Sequence, residues 1–392
     1  MSAPIEAVEA YFEHTIEAQL EELAEFVRIP TVGVLPEHAG DVRAGATWLA
    51  DRMQAMGLEH VEVSESAGQP VVYADWLHAP DAPTVIVYGH YDVQPVDPLE
   101  LWVRPPFEPR IEDGRIYGRG VADDKGQVHL HLWAARAWLE TAGRLPLNVR
   151  YVIEGEEEAG SPNFKAWLEA NRDRLGADLI VVSDTGFYEG NAPALTVALR
   201  GNTYLQVDVR GSRQDLHSGS FGGMVQNPAI ALARIIAALK DGEGRITVPG
   251  FYDEWQAPSA AIRRQFAEMP FDESAFTADI ESPALFGEPG WDPLERVGVR
   301  PTLDVCGMWS GFGGEGSKTI IPATAHAKIS CRLSPGMDPD VTYERVRTAI
   351  LAVDVPGVSV EVGQLDSMRP FVVSPDHPAA VTALDCLREV FG

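Results

Sequence analysis

The feature that most constrains this chain is a short stretch that is apolar on both of its faces. Thr84-Val85-Ile86-Val87-Tyr88 runs without a charged residue and ends at Gly89. Successive side chains of a strand point to opposite faces of its sheet, so such a run needs cover on both sides. Helices packed on the two faces supply it. Residues 147–153 and 178–183 (DLIVVS) read as further buried strands of the same kind. Helical patterns lie around them. Val8, Phe12, Ile16, Leu20, Leu23 and Val27 form one stripe of a helix over 4–28, closed by Arg28-Ile29-Pro30. A second helix is predicted over 41–56, with Leu49, Met53 and Met56 on one face and Gly57 just beyond. Strands at 61–65 and 70–76 and helices at 123–141 and 161–170 complete the pattern. Strands alternating with helices predict an α/β domain: a helix-covered, mostly parallel sheet.

The pattern changes near residue 200. NTYLQVDVRG alternates apolar and polar, as a half-exposed antiparallel strand does. A helix at 226–240, a Pro-rich and aromatic-rich stretch at 244–300, strands at 300–306 and 325–333, a helix at 340–352 and a strand at 357–363 describe an α+β region. From about 370 the chain reads as α/β material again, ending in a helix at 378–391. A length of 392 residues accommodates two or three such domains.

Charge narrows the function. With 58 carboxylates against 31 Lys and Arg, the net charge is −27. That balance argues against a nucleic-acid partner, which calls for cations on the protein, and against docking on an anionic membrane. The chain has no apolar run of about 18 residues to span a bilayer. Its first twenty residues carry glutamates where a secretory signal has an apolar core. Cys306, Cys331 and Cys386 are odd in number and widely spaced, forming neither a disulfide framework nor a CxxC site. A reducing cytoplasm is the expected compartment.

Chemistry gathers where the apolar strands end, the place where open α/β sheets bind ligands. His90 and Asp92 follow strand 84–88; Asp123 and Asp124 follow the turn YGRG; Glu154, Glu156, Glu157 and Glu158 follow strand 147–153; Asp184 follows strand 178–183. Each group alone has an ordinary explanation. A His-x-Asp pair is a hydrogen-bonded turn, Asp123-Asp124 before a helix is an N-cap, and a glutamate run is a solvated face. Together they are harder to dismiss. Carboxylates converging on one sheet edge repel one another, and a divalent cation removes that cost. Carboxylates with one imidazole suit Zn²⁺ or Mn²⁺. Two ions about 3.5–4 Å apart can share a carboxylate and a hydroxide, which is hydrolase chemistry.

Six segments, in order along nearly the whole chain, carry a resemblance: VIVYGHYDVQPV, WVRPPFEPRIEDGRIYGRGVADDKG, EGEEEAGSP, VVSDTGF, DLHSGSFGG and KTIIPATAHAKISCRLSPGMDP. They resemble the carnosinase and cytosolic-dipeptidase branch of the dinuclear zinc metallopeptidases. That family also includes aminoacylases, succinyl-diaminopimelate desuccinylase and glutamate carboxypeptidases. The resemblance implies two divalent metal ions per subunit, Zn²⁺ or alternatively Mn²⁺. His90 and Asp184 would bind the first, Glu158 the second, and Asp123 would bridge them, with a cis peptide after it. Asp92 would orient His90, and Glu157 would be the general base for a metal-bridging hydroxide that attacks the peptide bond of dipeptides or other short peptides. His217 would reach into the active site of the partner subunit in a homodimer and stabilise the oxyanion. Arg332 would hold the substrate carboxylate, and Thr319 matches a position close to the substrate. The domains implied are a catalytic one, 1–198 with 370–392, and an inserted lid and dimerisation domain, 199–369.

One departure stands out. The family takes a last metal-binding histidine from beyond a final helix, and this sequence stops at Leu387-Arg388-Glu389-Val390-Phe391-Gly392. Either the C-terminal part is missing or the protein differs there, and as given one metal is expected to bind weakly. A catalytically impaired relative therefore stands as one alternative to a dipeptidase; an N-acyl-amino-acid amidohydrolase, which would use the same metals and base on a different acyl group, is another. His377, in SPDHP, matches an earlier family position and is not assigned as a ligand. His129 and His131 are expected to be structural, and His14, His38, His60 and His78 to lack an acidic partner at ligand spacing. Gly118-Arg119-Gly120 reads as a turn, since no nucleotide-loop pattern follows it. From its strand alone, Arg332 reads equally as a salt-bridge partner.

Overall fold

The computed structural model describes residues 5–188 and 192–392. Pro4, the first residue of the helix expected over 4–28, lies outside them. The chain forms two compact units, Met1–Gly186 and Phe187–Gly392.

In the first unit the elements run α1 (Ile5–Val27), α2 (Ala39–Ala55), β1 (Glu59–Ser64), β2 (Val71–Trp76), β3 (Thr84–His90), β4 (Arg110–Glu112), β5 (Arg115–Tyr117), α3 (Lys125–Ala142), β6 (Asn148–Glu154), α4 (Phe164–Ala170) and β7 (Leu179–Val182). Five strands form one mixed sheet in the order β1-β2-β6-β3-β7. Pairing is antiparallel for β1–β2 and β2–β6, and parallel for β6–β3 and β3–β7. Parallel pairing is thus confined to the strands joined through helices; β1 and β2 are joined by a short loop, which permits only antiparallel pairing. The apolar runs are buried on two sides. Phe26, Leu49, Met53, Val72, Val87, Tyr151 and Ile153 pack in one cluster, and Val71, Tyr73, Ile86, Val152 and Trp167 in another. Burial of each such side chain contributes about 1.5–3 kcal/mol. Helix α3 stops at Gly143, whose φ of 66° lets its N–H turn back to the Leu139 carbonyl. The run 178–183 was expected to be buried. It forms the edge strand β7 instead, and its alternate residues Ile180 and Val182 are exposed, because one face of the strand has no cover within this unit.

The parallel register decides where the site lies. His90 pairs with Glu154, and Tyr88 pairs with both Val152 and Val182. The carboxyl ends of β3, β6 and β7 therefore open on the same edge.

The second unit comprises β8 (Ala198–Leu199), β9 (Gly201–Arg210), β10 (Leu216–His217), α5 (Ser218–Phe221), α6 (Pro228–Ala237), α7 (Ala260–Glu268), α8 (Glu273–Asp279), α9 (Pro293–Gly298), β11 (Thr302–Ser310), β12 (Ile320–Ile321), β13 (Thr324–Leu333), α10 (Pro339–Ala352), β14 (Ser359–Met368), β15 (Phe371–Val372) and α11 (Pro378–Phe391). Its antiparallel sheet has the order β11-β13-β9-β14. Alternate residues of β9 and β13 (Leu205, Val207, Val209, Ala325, Ala327, Ile329) pack with Leu232 and Ile235 of α6 and Val346 and Ile350 of α10. The Pro-rich stretch 244–300 contains α7, α8 and α9, each with a side-chain N-cap, from Ser259, Asp272 and Asp292. Residues 370–392 group with this unit: β15 pairs with β8, and the Phe187 and Phe391 rings meet at 5.6 Å. Among the described residues no helix is long and apolar enough to cross a membrane.

Candidate active site

His90 ends β3 and is fully buried. Its two ring nitrogens face different partners. Nδ1 lies 3.0 Å from the Asp92 carbonyl oxygen and 3.4 Å from Asp92 Oδ1. Nε2 lies 3.0 Å from Asp123 Oδ1 and 3.7 Å from Asp184 Oδ2. Ligand atoms of His90, Glu157 and Asp184 all fall within 4.8 Å of one another. Four sequence segments thus meet around one imidazole.

Asp92 is also fully buried, and its carboxylate does the positioning. Oδ1 accepts the Glu157 N–H and Oδ2 the Glu158 N–H, both at 3.1 Å. One side chain therefore holds the short helical turn at Glu157–Ala159 against the His90 loop. Glu158 Oε2 also accepts a hydrogen bond from Gln94 Nε2 at 2.5 Å. The Asp123–Asp124 peptide is cis. Asp124 precedes α3 at the N-cap position, yet its side chain caps nothing. It accepts the His90 N–H at 3.1 Å instead, so the N-cap explanation fails and the aspartate braces β3.

The electrostatics are those of a site built around positive charge. Burial raises the carboxyl groups of Glu157, Glu158 and Asp184 above their usual range, and neighbouring carboxylates add to the rise. The Asp123 charge is among the causes that raise both Glu158 and Asp184. Burial also pushes Asp124 and Glu154 up to about 7. Burial works against a charged His90, but the Asp92 hydrogen bond and the surrounding carboxylates outweigh it and push the ring up to about 10. Two buried oxygens, Asp124 Oδ1 and Glu154 Oε2, have no hydrogen-bond partner. Such an arrangement fits divalent cations. An acid cluster that makes its own buried histidine hold a proton is one that a metal ion stabilises, and carboxylates with an imidazole are the donors zinc or manganese takes.

In the second unit, His217 and Thr319 come together. β10 pairs with β12, the Ser218 N–H donates to the Thr319 carbonyl at 3.0 Å, and Thr319 Oγ1 lies 3.4 Å from His217 Nε2. Arg332 lies on β13, its register partners being Asn202 and Thr302, and is exposed.

Sequence reading missed two supporting groups, Gln94, which binds Glu158, and Tyr88, whose hydroxyl donates to Glu154 at 2.6 Å; it named Asp124 but gave it the wrong part, and His131, expected to be structural, sets its Nε2 2.7 Å from Ser183 Oγ beside Asp184. Gln94 had a signal, standing two residues beyond Asp92 on the same loop. His129 is structural as expected, its Nε2 bonded to the Gln19 carbonyl at 2.9 Å. The expectation that His38, His60 and His78 lack acidic partners is wrong. They meet Asp41, Asp75 and Glu59 at 2.7, 2.8 and 2.9 Å. Two of these pairs join residues brought together by strand pairing, which spacing along the chain does not reveal.

Fold and site define a metallopeptidase. The chain belongs to Peptidase family M20/M25/M40, whose model matches residues 86–392. It is 31% identical to the Beta-Ala-His dipeptidase of Homo sapiens over 358 residues, 88% of this chain and 71% of that one. It is 30% identical to the Cysteinylglycine-S-conjugate dipeptidase of Corynebacterium striatum over 378 residues, 95% of this chain and 80% of the relative. Among solved structures, the M20 family metallo-carboxypeptidase Sso-CP2 from Sulfolobus solfataricus superposes with a TM-score of 0.83 at 30% identity, covering 95% of this chain and 84% of that one.

Proposed function

We propose that this protein hydrolyses the peptide bond of dipeptides and other short peptides with two divalent metal ions, zinc or manganese, held at the carboxyl edge of β3, β6 and β7. The observation that carries the reading is the gathering of Asp123, Asp184 and Glu157 about the buried His90. The dipeptidase relatives supply the substrate class. In this reading His90, Asp123 and Asp184 hold one ion, and Asp123 and Glu158 the other. Bound there, the ions supply Lewis acidity and make a water easier to deprotonate.

The chain's own residues do the rest. Asp92 engages Nδ1 of His90 and so leaves Nε2 as the ligand nitrogen. Through the N–H groups of Glu157 and Glu158 it also fixes the two glutamates in place. Glu157, its carboxyl raised by burial, takes a proton from the attacking water. As the C–N bond breaks, Glu157 returns that proton to the leaving amine. His217 donates to the developing oxyanion, with Thr319 beside it. The Arg332 guanidinium pairs with the substrate's terminal carboxylate, and so limits substrates to short peptides.

We assign 1–198 with 370–392 to the catalytic domain and 199–369 to the lid and dimerisation domain. The β8–β15 pair brings the two ends of the inserted stretch together, as an insertion requires, although 370–392 pack with the second unit. In this reading the protein is a cytoplasmic homodimer with His217 acting in the partner subunit's site; the three free cysteines suit a reducing compartment. Turnover of a dipeptide panel, set against N-acetyl and N-succinyl amino acids with and without chelator, tests the activity. Chelator-sensitive cleavage of dipeptides is expected. Cleavage confined to the acylated amino acids would overturn the substrate class.

A further inference from the structure

The β1–β2 hairpin carries a second gathering of imidazole and carboxylate, remote from the strand ends that hold His90. Its reference point is Asp75, the register partner of Glu59 on one side and of Arg150 on the other. Arg150 precedes Glu154 by four residues on β6, about 13 Å at the rise of a strand, and β2 lies two strands from β3.

Three side chains gather there, Glu59, His60 and Asp75, and His78 joins them through Glu59. His60 Nδ1 lies 2.8 Å from Asp75 Oδ1, and His78 Nε2 lies 2.9 Å from Glu59 Oε2. Ligand atoms of Glu59, His60 and Asp75 all fall within 4.8 Å of one another. The pairing register slips between Glu59 and Glu62, and His60 takes a left-handed φ of 49° at that bulge. Bulges re-aim side chains, and left-handed backbone is uncommon outside glycine. The Asp75 side chain is only 6% exposed, and its Oδ2 accepts the Tyr73 hydroxyl at 2.9 Å. Arg150 bonds the Gly176 carbonyl. The imidazoles are on the outside, His60 70% and His78 57% exposed.

Each carboxylate has its own imidazole, Asp75 with His60 and Glu59 with His78, but the two pairs are not separate: a Glu59 ligand atom also stands within 4.8 Å of those of His60 and Asp75. A tetrahedral ion about 2.1 Å from each ligand sets its ligands about 3.4 Å apart, so Glu59, His60 and Asp75 need only small side-chain rotations, while His78, outside that group of three but bonded to Glu59, must turn further to complete the shell. Two imidazoles with two carboxylates suit zinc and its neighbours, whereas calcium and magnesium take oxygen alone. A charge of +2 also matches the two carboxylates.

We propose that Glu59, His60, Asp75 and His78 bind one divalent transition-metal ion of the zinc type at a site separate from that of His90. The two histidines give a ring nitrogen each and the two carboxylates an oxygen each. Tyr73 holds the other Asp75 oxygen, the outer hydrogen bond that metal-binding carboxylates commonly carry. The ion pins edge strand β1 to β2, and so ties metal occupancy to the stability of the hairpin.

Zinc binding to the full chain tests this, by equilibrium dialysis at micromolar free zinc with metal analysis of the protein. The His60→Ala/His78→Ala double variant is expected to bind one zinc per chain fewer than the parent and to keep dipeptide turnover within twofold. The same loss of one ion is expected when the double substitution is placed in an Asp184→Asn background, whatever the His90 site then holds. Because both histidines are exposed, the double variant should melt with the parent in EDTA. Its gain in melting temperature with zinc should be smaller than the parent's. As a milder variant, His78→Gln should weaken zinc at this site at least tenfold. Equal zinc content in the parent and the double variant, or equal zinc-induced melting shifts, would overturn the proposal.

Discussion

The carboxyl edge of the first unit's sheet and the interior of the second unit's sheet are built on opposite rules. At the first, aspartates and glutamates crowd one another, a buried histidine is driven to carry charge, and two buried oxygens go unpartnered. In the second, Leu205, Val207, Val209, Ala325, Ala327 and Ile329 pack without a charged group among them. The first region gives up stability for the ability to hold and move charge. The second returns it as buried apolar area. Substitutions should therefore separate: those at the strand ends should cost activity, and those in the second sheet should cost stability.

The largest effect is expected at Glu157. Glu157→Gln keeps the shape and loses the base, so kcat should fall by about 10³-fold, while metal content and melting temperature stay near the parent's. Next, Ile329→Ala opens a cavity in the second sheet and should cost about 2–5 kcal/mol of unfolding free energy. Denaturant titration reads that loss, and kcat of the folded fraction should be unchanged. If Ile329→Ala lowered kcat as much as Glu157→Gln does, the division between the two regions would be wrong. Third, Arg332→Ala removes a charge-assisted pair, worth about 1.5–3 kcal/mol. It should raise KM for dipeptides by roughly ten- to a hundredfold, and change little for dipeptides amidated at the C-terminus.

Two smaller effects sharpen the contrast. Asp184→Asn removes one of the mutually repelling carboxylates. In chelator the variant should be slightly more stable than the parent, although it binds metal less well. His129 tests burial without catalysis. Burial lowers its pKa from 6.5 to about 4 and so favours the neutral ring in the folded state. Its contribution is complete above pH 6.5 and is lost as pH falls toward 4. The difference in stability between parent and His129→Gln should therefore shift against the parent across that window, and a pH-independent difference would contradict the assignment.

How much of this was legible depended on whether the information lay in short segments. The apolar runs of β3 and β6 marked buried strands because both faces of each are covered. The same composition misled at β7, where the cover on each face rather than local pattern decides exposure. The strand-end acids were visible because parallel register places residues following β3, β6 and β7 together. The role of Asp124 was hidden, since an aspartate before a helix reads as a cap whatever its side chain does. Asp75 and His60 were hidden for a different reason: they are fifteen residues apart and are joined by a hairpin with a bulge, whose register no spacing rule supplies.

Anomalous scattering from crystals of the protein grown with manganese tests the central claim most directly. Two peaks are predicted at the carboxyl edge of β3, β6 and β7, one on each side of Asp123, with His90 and Asp184 around one and Glu158 against the other. An absence of any peak within bonding distance of His90, Asp123 and Asp184, in a protein that still cleaves dipeptides, would contradict the account.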